Sequence, residues 1–486
     1  MNTLDADEST PLVPRHGIPP PVTDERGPLK KTLAIYLILA CTLLERVAFY
    51  SIMVTLVLNL DSDELFHWQP RNSSIASFIF SGTSYISTLI FAVIGDAKLG
   101  RAITILVGFV LYVIGYILAV LITKTNINIC ARNTFNESDT PNTITIIQEP
   151  CASWILVTLI IIAIGAGAVQ SNMAVFGADQ VQQSDKPSRY FDKYIVVVNI
   201  GGIIATLGIN FIQKDANHYF IGYLVALIIL LIAAVLFSIG WRCYINVKPY
   251  DTVVSNCIPV VINAFQSWLQ YKQNKRSISK YSTDASVTNS ISDPLSLTEG
   301  EDSMGLNEQS EAFLDYAKIP NNGKFHDRIV NDVKSLGRAL IVFSLLIPYW
   351  LIYHQARSMD STFPLQGQHM QRTRNVKNII TLMSLGDPVT IVNTNESTLS
   401  IYFQLLQYIF LGFSELFATV ATYEFAYFAA PRSAQSLFMS LRFCSLGISS
   451  FIGTAYITAF PTTSFIMDFS VSMKIEQMFF ILIRYF

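Results

Sequence analysis

The sequence contains few charged residues. Asp, Glu, Lys and Arg make up only 14% of its 486 residues, whereas soluble proteins average about 25%. No block of basic residues indicates a nucleic-acid surface, and the net charge of −2 favours no charged partner. Because 51% of the residues are hydrophobic, we expect most of the chain to lie in a lipid bilayer.

The residue patterns of enzymes and metal sites are lacking as well. The six cysteines are scattered without the spacing of a zinc site or a redox pair. We find no glycine-rich phosphate loop and no nucleophile–base pair. The segment Gly165-Ala-Gly167 is typical of close helix packing rather than of nucleotide binding. The sequence therefore predicts no enzyme, no metal site and no cofactor.

Long apolar runs dominate what is present. A helix needs about 20 apolar residues to cross a bilayer. Apolar segments occur at 32–60, 73–95, 102–122, 153–176, 191–212, 219–241, 337–357, 399–428 and 436–460, with a shortened one at 473–486. This pattern predicts an all-α polytopic membrane protein. The expected parts are a disordered cytosolic tail at 1–31, a complete six-helix bundle at 32–242, a partly disordered Ser-rich cytosolic linker at 243–336 and an incomplete C-terminal bundle at 337–486.

The loops predict the orientation of the chain. Lysines and arginines concentrate in the loops after spans 2, 4 and 6, which places these loops and the N-terminus in the cytosol. The opposite loop, 123–152, holds Cys130, Cys151 and the glycosylation sequon at Asn136. A disulfide and a glycan both form in a luminal or external compartment. A second sequon, at Asn395, lies in the predicted luminal loop 359–398.

The N-terminal tail carries one short motif. The tail has acids and prolines but no apolar core, so we do not expect it to be a signal peptide. Glu8-Ser-Thr-Pro-Leu12-Val13 resembles an acidic dileucine sorting signal, with Leu12 and Val13 in the dileucine place. A cytosolic adaptor could reach such a signal on a disordered tail. Motifs this short also arise by chance, so both interpretations remain open.

Span 1 carries two charges near its middle. Glu45 and Arg46 lie well inside the first apolar run, at a depth where an isolated charge costs roughly 2.5–3.5 kcal/mol. Adjacent opposite charges partly neutralise one another. The pair indicates either a functional site beside a wet cavity or a structural pair that orients the bundle.

Later spans carry further charges. Glu415 and Glu424 lie on opposite faces of one helix, at about 100° per residue. Thr422 and Tyr423 adjoin Glu424, and an acid among hydroxyl groups suits an ammonium group, although a neighbouring helix could also satisfy it. Arg442 lies near the start of the 436–460 span, so we expect its side chain to extend to the cytosolic interface.

Several motifs together resemble the proton-coupled oligopeptide transporters of the major facilitator superfamily. Glu45-Arg46-Val-Ala-Phe-Tyr50 resembles the family's span-1 signature. Gly95-Asp96-Ala-Lys-Leu-Gly100-Arg101 resembles the loop between spans 2 and 3, whose acid (Asp96) and base (Arg101) can latch helix ends in one state. Other similar segments are Ser171–Gln180, Tyr190-Phe191, Asn199-Ile-Gly201, Pro348-Tyr-Trp350 and Glu415–Gln435. The Phe-Gly-Ala-Asp-Gln segment and the dileucine-like tail resemble the peptide/histidine branch.

This resemblance implies the major facilitator fold and symport of di- and tripeptides, or free histidine, with protons. The branch resides in endosomal and lysosomal membranes. By the family pattern, Arg46 and Tyr50 contact the carboxylate end of a peptide, Asn199 bonds its backbone and Glu424 binds its amino terminus. Trp350 belongs to the same substrate-binding set. Two charged anchors suit a zwitterion and tolerate varied side chains between them.

Two charges of the family are neutral here. Thr42 replaces a Glu of the span-1 motif, and Gln170 replaces a Lys or Arg of span 4. In the family these charges are thought to pair and to take part in proton coupling, and Glu45 is the coupling acid that remains. Loss of one charge alone would leave a buried unpaired charge, so the paired loss indicates a compensated change. We therefore expect proton coupling to be weakened or absent.

The C-terminal half is shorter than the family pattern. Residues 364–398 contain no run of about 18 apolar residues, so spans 8 and 9 and part of span 12 are expected to be missing. Alternating access needs two comparable halves. Two functions therefore stay open. One is a transporter of peptides or histidine, and the other is a non-transporting endolysosomal scaffold or a truncated isoform.

Overall fold

Six helices form the N-terminal bundle. The computed structural model describes residues 26–62, 66–124, 145–181, 187–209, 212, 219–246, 257, 259–273, 312–321, 324–356, 370–371, 397–400, 403–430 and 434–459. The six helices are α1 Pro28–Asp61, α2 Pro70–Ile94, α3 Arg101–Thr123, α4 Ala152–Asp179, α5 Pro187–Ile204 and α6 Tyr219–Ile239. Helices α2 and α5 continue as π-helical turns at Gly95–Leu99 and Ala205–Ile209, and α6 ends in a 3₁₀ turn at Gly240–Cys243. The six predicted N-terminal spans are confirmed.

The described C-terminal helices are α7 Asp327–Leu345, α8 Ile347–Ala356, α9 Phe403–Phe428 and α10 Gln435–Ala459. The predicted span at 337–357 thus begins at Asp327 and is interrupted just before Pro348, which lacks a backbone N–H and crowds the preceding turn. Within the predicted loop 359–398, Met370–Gln371 and Ser397–Ser400 pair as short parallel strands. Residues 372–396 and 460–486 lie outside the described residues, so the missing spans stay a prediction.

The outer faces of the helices are apolar. In the described part of the chain, seven helical stretches are long and apolar enough to cross a membrane: the six N-terminal spans and Gln435–Tyr456. On α3, Val107, Val110 and Ile114 are exposed while Phe109 and Tyr112 are buried. Exposed aliphatic side chains along a whole helix face are suited to lipid contact. The chain is a multi-pass membrane protein.

Glycines allow α3 and α4 to approach closely. A Cβ atom on Gly165 would lie 2.5 Å from the backbone nitrogen of Tyr112. One on Gly115 would lie 2.9 Å from the backbone nitrogen of Ile162. Small residues at such crossings let membrane helices pack backbone to backbone. The interpretation of Gly165-Ala-Gly167 as a packing motif is confirmed.

Helices α2 and α10 join the two halves of the bundle. At their crossing, a Cβ atom on Gly447 would lie 3.0 Å from the carbonyl oxygen of Gly82. Near this contact, Tyr85 of α2 stacks on Phe443 of α10, with ring centroids 6.0 Å apart and planes 3° apart. This seam positions the side chains described below.

Two parts of the predicted linker, 259–273 and 312–336, are folded apart from the undescribed residues 322–323. Residues 259–273 form a helix, and Asn263 accepts a hydrogen bond from the backbone of Lys324 at 3.0 Å. Asp315 forms ion pairs with Lys318 at 2.7 Å and with Lys334 of α7 at 2.6 Å. The Ser-rich residues 274–311 lie outside the described residues.

Candidate functional site

Glu45 and Arg46 of α1 form a closed ion pair. Their residues are only 2% and 3% exposed. Arg46 donates from Nε to Glu45 Oε2 at 2.6 Å and from Nη2 to Oε1 at 2.7 Å. This two-pronged geometry is the strongest form of an arginine–carboxylate contact. It makes the pair neutral as a unit, which lowers the cost of holding two charges in the bundle.

The neighbours of Arg46 hold it in place. A Cβ atom on Gly201 of α5 would lie 2.7 Å from the Cβ of Arg46, so only glycine lets α5 pack this close. Tyr50, one turn further along α1, interacts electrostatically with Arg46. Asn199 is exposed, and its amide donates to the carbonyl of Ile195 in its own helix at 2.8 Å. The structure therefore brings Arg46 and Tyr50 together, whereas the amide of Asn199 is bonded within its own helix.

An aromatic layer connects the two halves beside this pair. The guanidinium of Arg46 lies 4.7 Å from the ring centroid of Phe49. Successive ring centroids of the layer lie 6.0–6.4 Å apart, on helices of both halves. The layer consists of Phe49 (α1), Tyr85 (α2), Tyr194 (α5), Tyr423 (α9) and Phe443 (α10). Rings at this spacing attract one another through offset or edge-on contacts.

Arg442 of α10 contacts the aromatic layer at Tyr423 and Phe443. The prediction that it extends to the cytosolic interface is wrong, because the residue is only 4% exposed. Its Nε donates to the hydroxyl of Thr422 at 2.8 Å and its Nη2 to that of Thr419 at 3.4 Å. Its guanidinium also lies 4.2 Å from the ring centroid of Tyr423 and 5.1 Å from that of Phe443. Cation–π contacts of about 0.5–2 kcal/mol each hold the side chain inward.

Trp350 of α8 lies next to Arg442. It is 1% exposed, and its ring centroid lies 5.6 Å from the guanidinium carbon of Arg442. The indole Nε1 is buried and has no hydrogen-bond partner among the described residues. The structure thus places Trp350 beside a residue that sequence reasoning did not assign to the site.

Glu424 lies apart from both arginines. Its side chain is exposed on α9 and has no hydrogen bond to any described residue. The hydroxyl of Thr422 and the ring of Tyr423 face Arg442 instead of Glu424. Glu415 is half-buried.

The two neutral replacements are not joined by a hydrogen bond. The hydroxyl of Thr42 donates to the carbonyl of Ile38 in α1 at 2.9 Å. The side-chain oxygen of Gln170 is buried in α4 without a partner among the described residues. Thr42 is therefore satisfied by its own helix, and Gln170 retains an unused acceptor.

The predicted latch is an ion-pair network of three residues. Arg101 contacts Asp96 at 2.9 Å and Asp179 at 2.6 Å. Asp96 lies in the π-helical turn after α2, and Asp179 ends α4. The network therefore ties α2, α3 and α4 together at one end of the bundle. Asp179 was not predicted as part of it, although it stands within the Phe-Gly-Ala-Asp-Gln segment.

The next residue, Gln180, connects α4 to two further segments. It is 1% exposed. Its Oε1 accepts hydrogen bonds from the backbone of Ile245 at 2.8 Å and from Arg26 at 2.9 Å. Its Nε2 donates to the carbonyl of Ile245 at 3.1 Å. The segment after α6 and the start of the described chain thus converge on one amide.

Several predicted sites fall outside the described residues. These are the sorting residues Glu8, Leu12 and Val13, the glycosylation sites Asn136 and Asn395, and Cys130. Cys151 is disulfide-bonded and directly precedes α4.

Sequence reasoning missed Arg442 and the aromatic layer as a unit. The available signal was a charge inside an apolar run next to Phe443 and eighteen positions after Glu424. Only the crossing of α9, α10 and α2 shows that these groups share one site.

Comparison with known proteins identifies the family. The model of the POT family matches residues 102–392 and 386–472, more than half of the chain. A mouse relative, "Solute carrier family 15 member 3", is 25% identical over 90% of this chain and 85% of its own length. "Protein NRT1/ PTR FAMILY 8.1" of Arabidopsis thaliana is 24% identical over 85% of this chain and 83% of its own length.

Solved structures show the same fold. The POT family transporter PepTSo superposes with a TM-score of 0.62 at 18% identity, over 92% of this chain and 94% of that chain. An auto-inhibited POT family peptide transporter superposes with a TM-score of 0.63 at 17% identity, over 93% and 97% of the two chains. The predicted all-α major facilitator fold is confirmed. Because the family model covers most of its length and the fold agrees, this chain belongs to the POT family of membrane peptide transporters and is not an enzyme.

Proposed function

We propose that this chain carries di- and tripeptides across an endosomal or lysosomal membrane, with free histidine as a second substrate. The observation that carries the proposal is the buried Glu45–Arg46 pair beside an aromatic layer shared by both halves of the bundle. A planar guanidinium binds a carboxylate through two parallel hydrogen bonds. The rings of the layer provide apolar contact for the body of a peptide.

In this proposal, Arg46 and Tyr50 hold the peptide carboxylate. Both oxygens of Glu45 are already engaged by Arg46, so an incoming carboxylate competes with Glu45 or shares the guanidinium with it. Glu424 serves as the ammonium anchor, which its exposed carboxylate allows. Asn199 turns toward the peptide backbone when the halves separate.

We further propose that proton coupling is weakened in this chain. Protonation of Glu45 releases Arg46, and no cation stands at Gln170 to exchange partners with Glu45. The supporting observations are the closed Glu45–Arg46 pair and the bond of Thr42 to its own helix. A released, unpaired Arg46 costs a few kcal/mol inside the bundle, so Glu45 stays ionised and carries no proton across the membrane.

The test is uptake of a labelled dipeptide into proteoliposomes that contain the full chain. We expect uptake that excess unlabelled dipeptide or histidine reduces, and that an inward proton gradient stimulates little. Arg46→Lys should lose most of the uptake, because lysine keeps the charge but lacks the planar fork. The exposed Arg338 of α7 supplies the matched control, Arg338→Gln.

The double variant Thr42→Glu with Gln170→Lys tests the coupling proposal. It restores the charges of the family pattern, so stimulation by a proton gradient should increase over that of the wild type. Strong stimulation of the wild type would refute weakened coupling. Absence of uptake, together with a partner that binds through Glu8, Leu12 and Val13, would favour the scaffold function instead.

A further inference from the structure

We propose that Arg442 forms a second carboxylate site, which receives the acidic side chain of a substrate peptide. The proposal rests on the proposed peptide transport and adds a preference for peptides that contain Asp or Glu. The proposal is based on a buried cation that has no anionic partner among the described residues. Arg442 is 4% exposed, and no described carboxylate lies within ion-pair distance of it.

The buried Arg46 and the largely enclosed Arg101 are both neutralised. Arg46 pairs with Glu45, and Arg101 pairs with Asp96 and Asp179. The partners of Arg442 are the hydroxyls of two threonines and three aromatic rings. Hydroxyl groups satisfy hydrogen bonds but do not compensate the charge, and buried charges are normally paired. Arg442 is therefore suited to bind an anion that the described residues of the chain do not provide.

Trp350 provides a second, independent sign of an acceptor ligand. Its indole Nε1 is buried without a hydrogen-bond partner among the described residues. The indole nitrogen only donates, and an ionised carboxylate only accepts. The Trp350 ring lies 5.6 Å from the Arg442 guanidinium. One carboxylate beside the two side chains would accept a hydrogen bond from the Trp350 indole N–H and form an ion pair with the Arg442 guanidinium.

The position of Arg442 indicates which carboxylate it receives. Arg46 contacts the aromatic layer at Phe49, and Arg442 contacts it at Phe443 and Tyr423. The two cations thus flank the layer from the two halves of the bundle. Arg46 holds the terminal carboxylate in the proposed function, so the second cation is left for a side-chain carboxylate of the same peptide. Its access opens when the halves separate along the α2–α10 seam.

The test compares Ala-Glu with the neutral isostere Ala-Gln. Ligand-dependent thermal stabilisation of the detergent-purified full chain gives a half-saturating concentration for each peptide. We expect a value about tenfold lower for Ala-Glu, as a charge-assisted contact provides. In Arg442→Gln the ratio should fall to about one, whereas Arg338→Gln should keep the wild-type ratio.

Two further variants test the proposal if Arg442→Gln does not fold. Arg442→Lys retains the charge and should keep part of the preference. Trp350→Phe removes the N–H but keeps a ring, and should reduce the preference. A structural role of Arg442 would instead lower the unfolding temperature without changing the ratio.

Four results would overturn the proposal. The wild type could bind both peptides equally, or Arg442→Gln could keep the preference for Ala-Glu. Chloride could also stabilise the ligand-free protein through Arg442 while Ala-Glu shows no advantage, which would assign the site to a small inorganic anion. If neither peptide binds the wild type, the proposed function fails and this proposal fails with it. Binding of both without preference leaves the proposed function intact.

Discussion

Gly201→Ala should displace the helix that supports Arg46. A Cβ atom there would lie 2.7 Å from the Cβ of Arg46 and 3.1 Å from the carbonyl oxygen of Leu43. Ordinary contacts between carbon atoms lie at about 3.5–4.0 Å, so α5 must retreat from α1 by roughly 1 Å. Overpacking of this kind costs about 1–3 kcal/mol.

Gly202→Ala is the matched comparison. Its Cβ atom would lie 3.5 Å from the ring of Tyr50, an ordinary contact. Both variants gain the same helix propensity, up to about 1 kcal/mol, so the difference between them isolates the clash at Gly201. Gly208→Ala adds a second comparison, because nothing lies within 4 Å of that position.

Two measurements check this prediction. Thermal unfolding of the detergent-purified chain should show Gly201→Ala to be the least stable of the three variants. Dipeptide uptake should require a higher concentration for half-saturation in Gly201→Ala, because the displacement moves the guanidinium away from the aromatic layer. Equal stability and equal uptake in Gly201→Ala and Gly202→Ala would refute the close packing of α5 on Arg46.

Three further predictions concern the ends of the bundle. Arg101→Gln should destabilise more than Asp179→Asn in thermal unfolding, because it leaves the buried Asp96 and the half-buried Asp179 without their cation; loss of one partner of such a network costs about 3–5 kcal/mol. Gln180→Ala should cost about 1–3 kcal/mol, because it removes the partner of both backbone hydrogen bonds of the half-buried Ile245, and an unchanged unfolding temperature would contradict this. For Asp315, burial raises the pKa, but hydrogen bonds and charges from two lysines outweigh it and lower the pKa. Its contribution is therefore fully present above the unfolded pKa of about 3.9 and lost only as the pH falls below it. Proteolysis of the linker should be equal at about pH 7 and pH 5 in the wild type and faster in Asp315→Asn at both.

The order and type of the N-terminal helices could be predicted from local information. Apolar runs of spanning length and the charged loops between them are visible in the sequence without any contact. The boundaries of α3 and α6 accordingly agree closely with the predicted segments. The start of α7 could not be predicted in this way, because the polar first turns at Asp327 are held by packing against the linker rather than by lipid.

The candidate site likewise contains some residues that could be predicted from the sequence and others that could not. Glu45 and Arg46 were predicted as a pair because neighbours in the chain remain neighbours in space. The location of Arg442 was predicted wrongly, because its depth in the membrane was inferred only from its distance along the chain to the end of the span. Its surroundings are Thr422, Tyr423 and Trp350, which two other helices, α8 and α9, bring to it.

The sequence alone determined that this chain is a multi-pass helical protein with peptide-transporter motifs, since hydropathy and short motifs are properties of single segments. The tertiary structure decided that two buried arginines flank one aromatic layer, and that only one of them has a carboxylate partner among the described residues. Charge compensation in a bundle depends on which helices cross, and the crossing of α10 with both α2 and α9 is set by packing between distant parts of the chain.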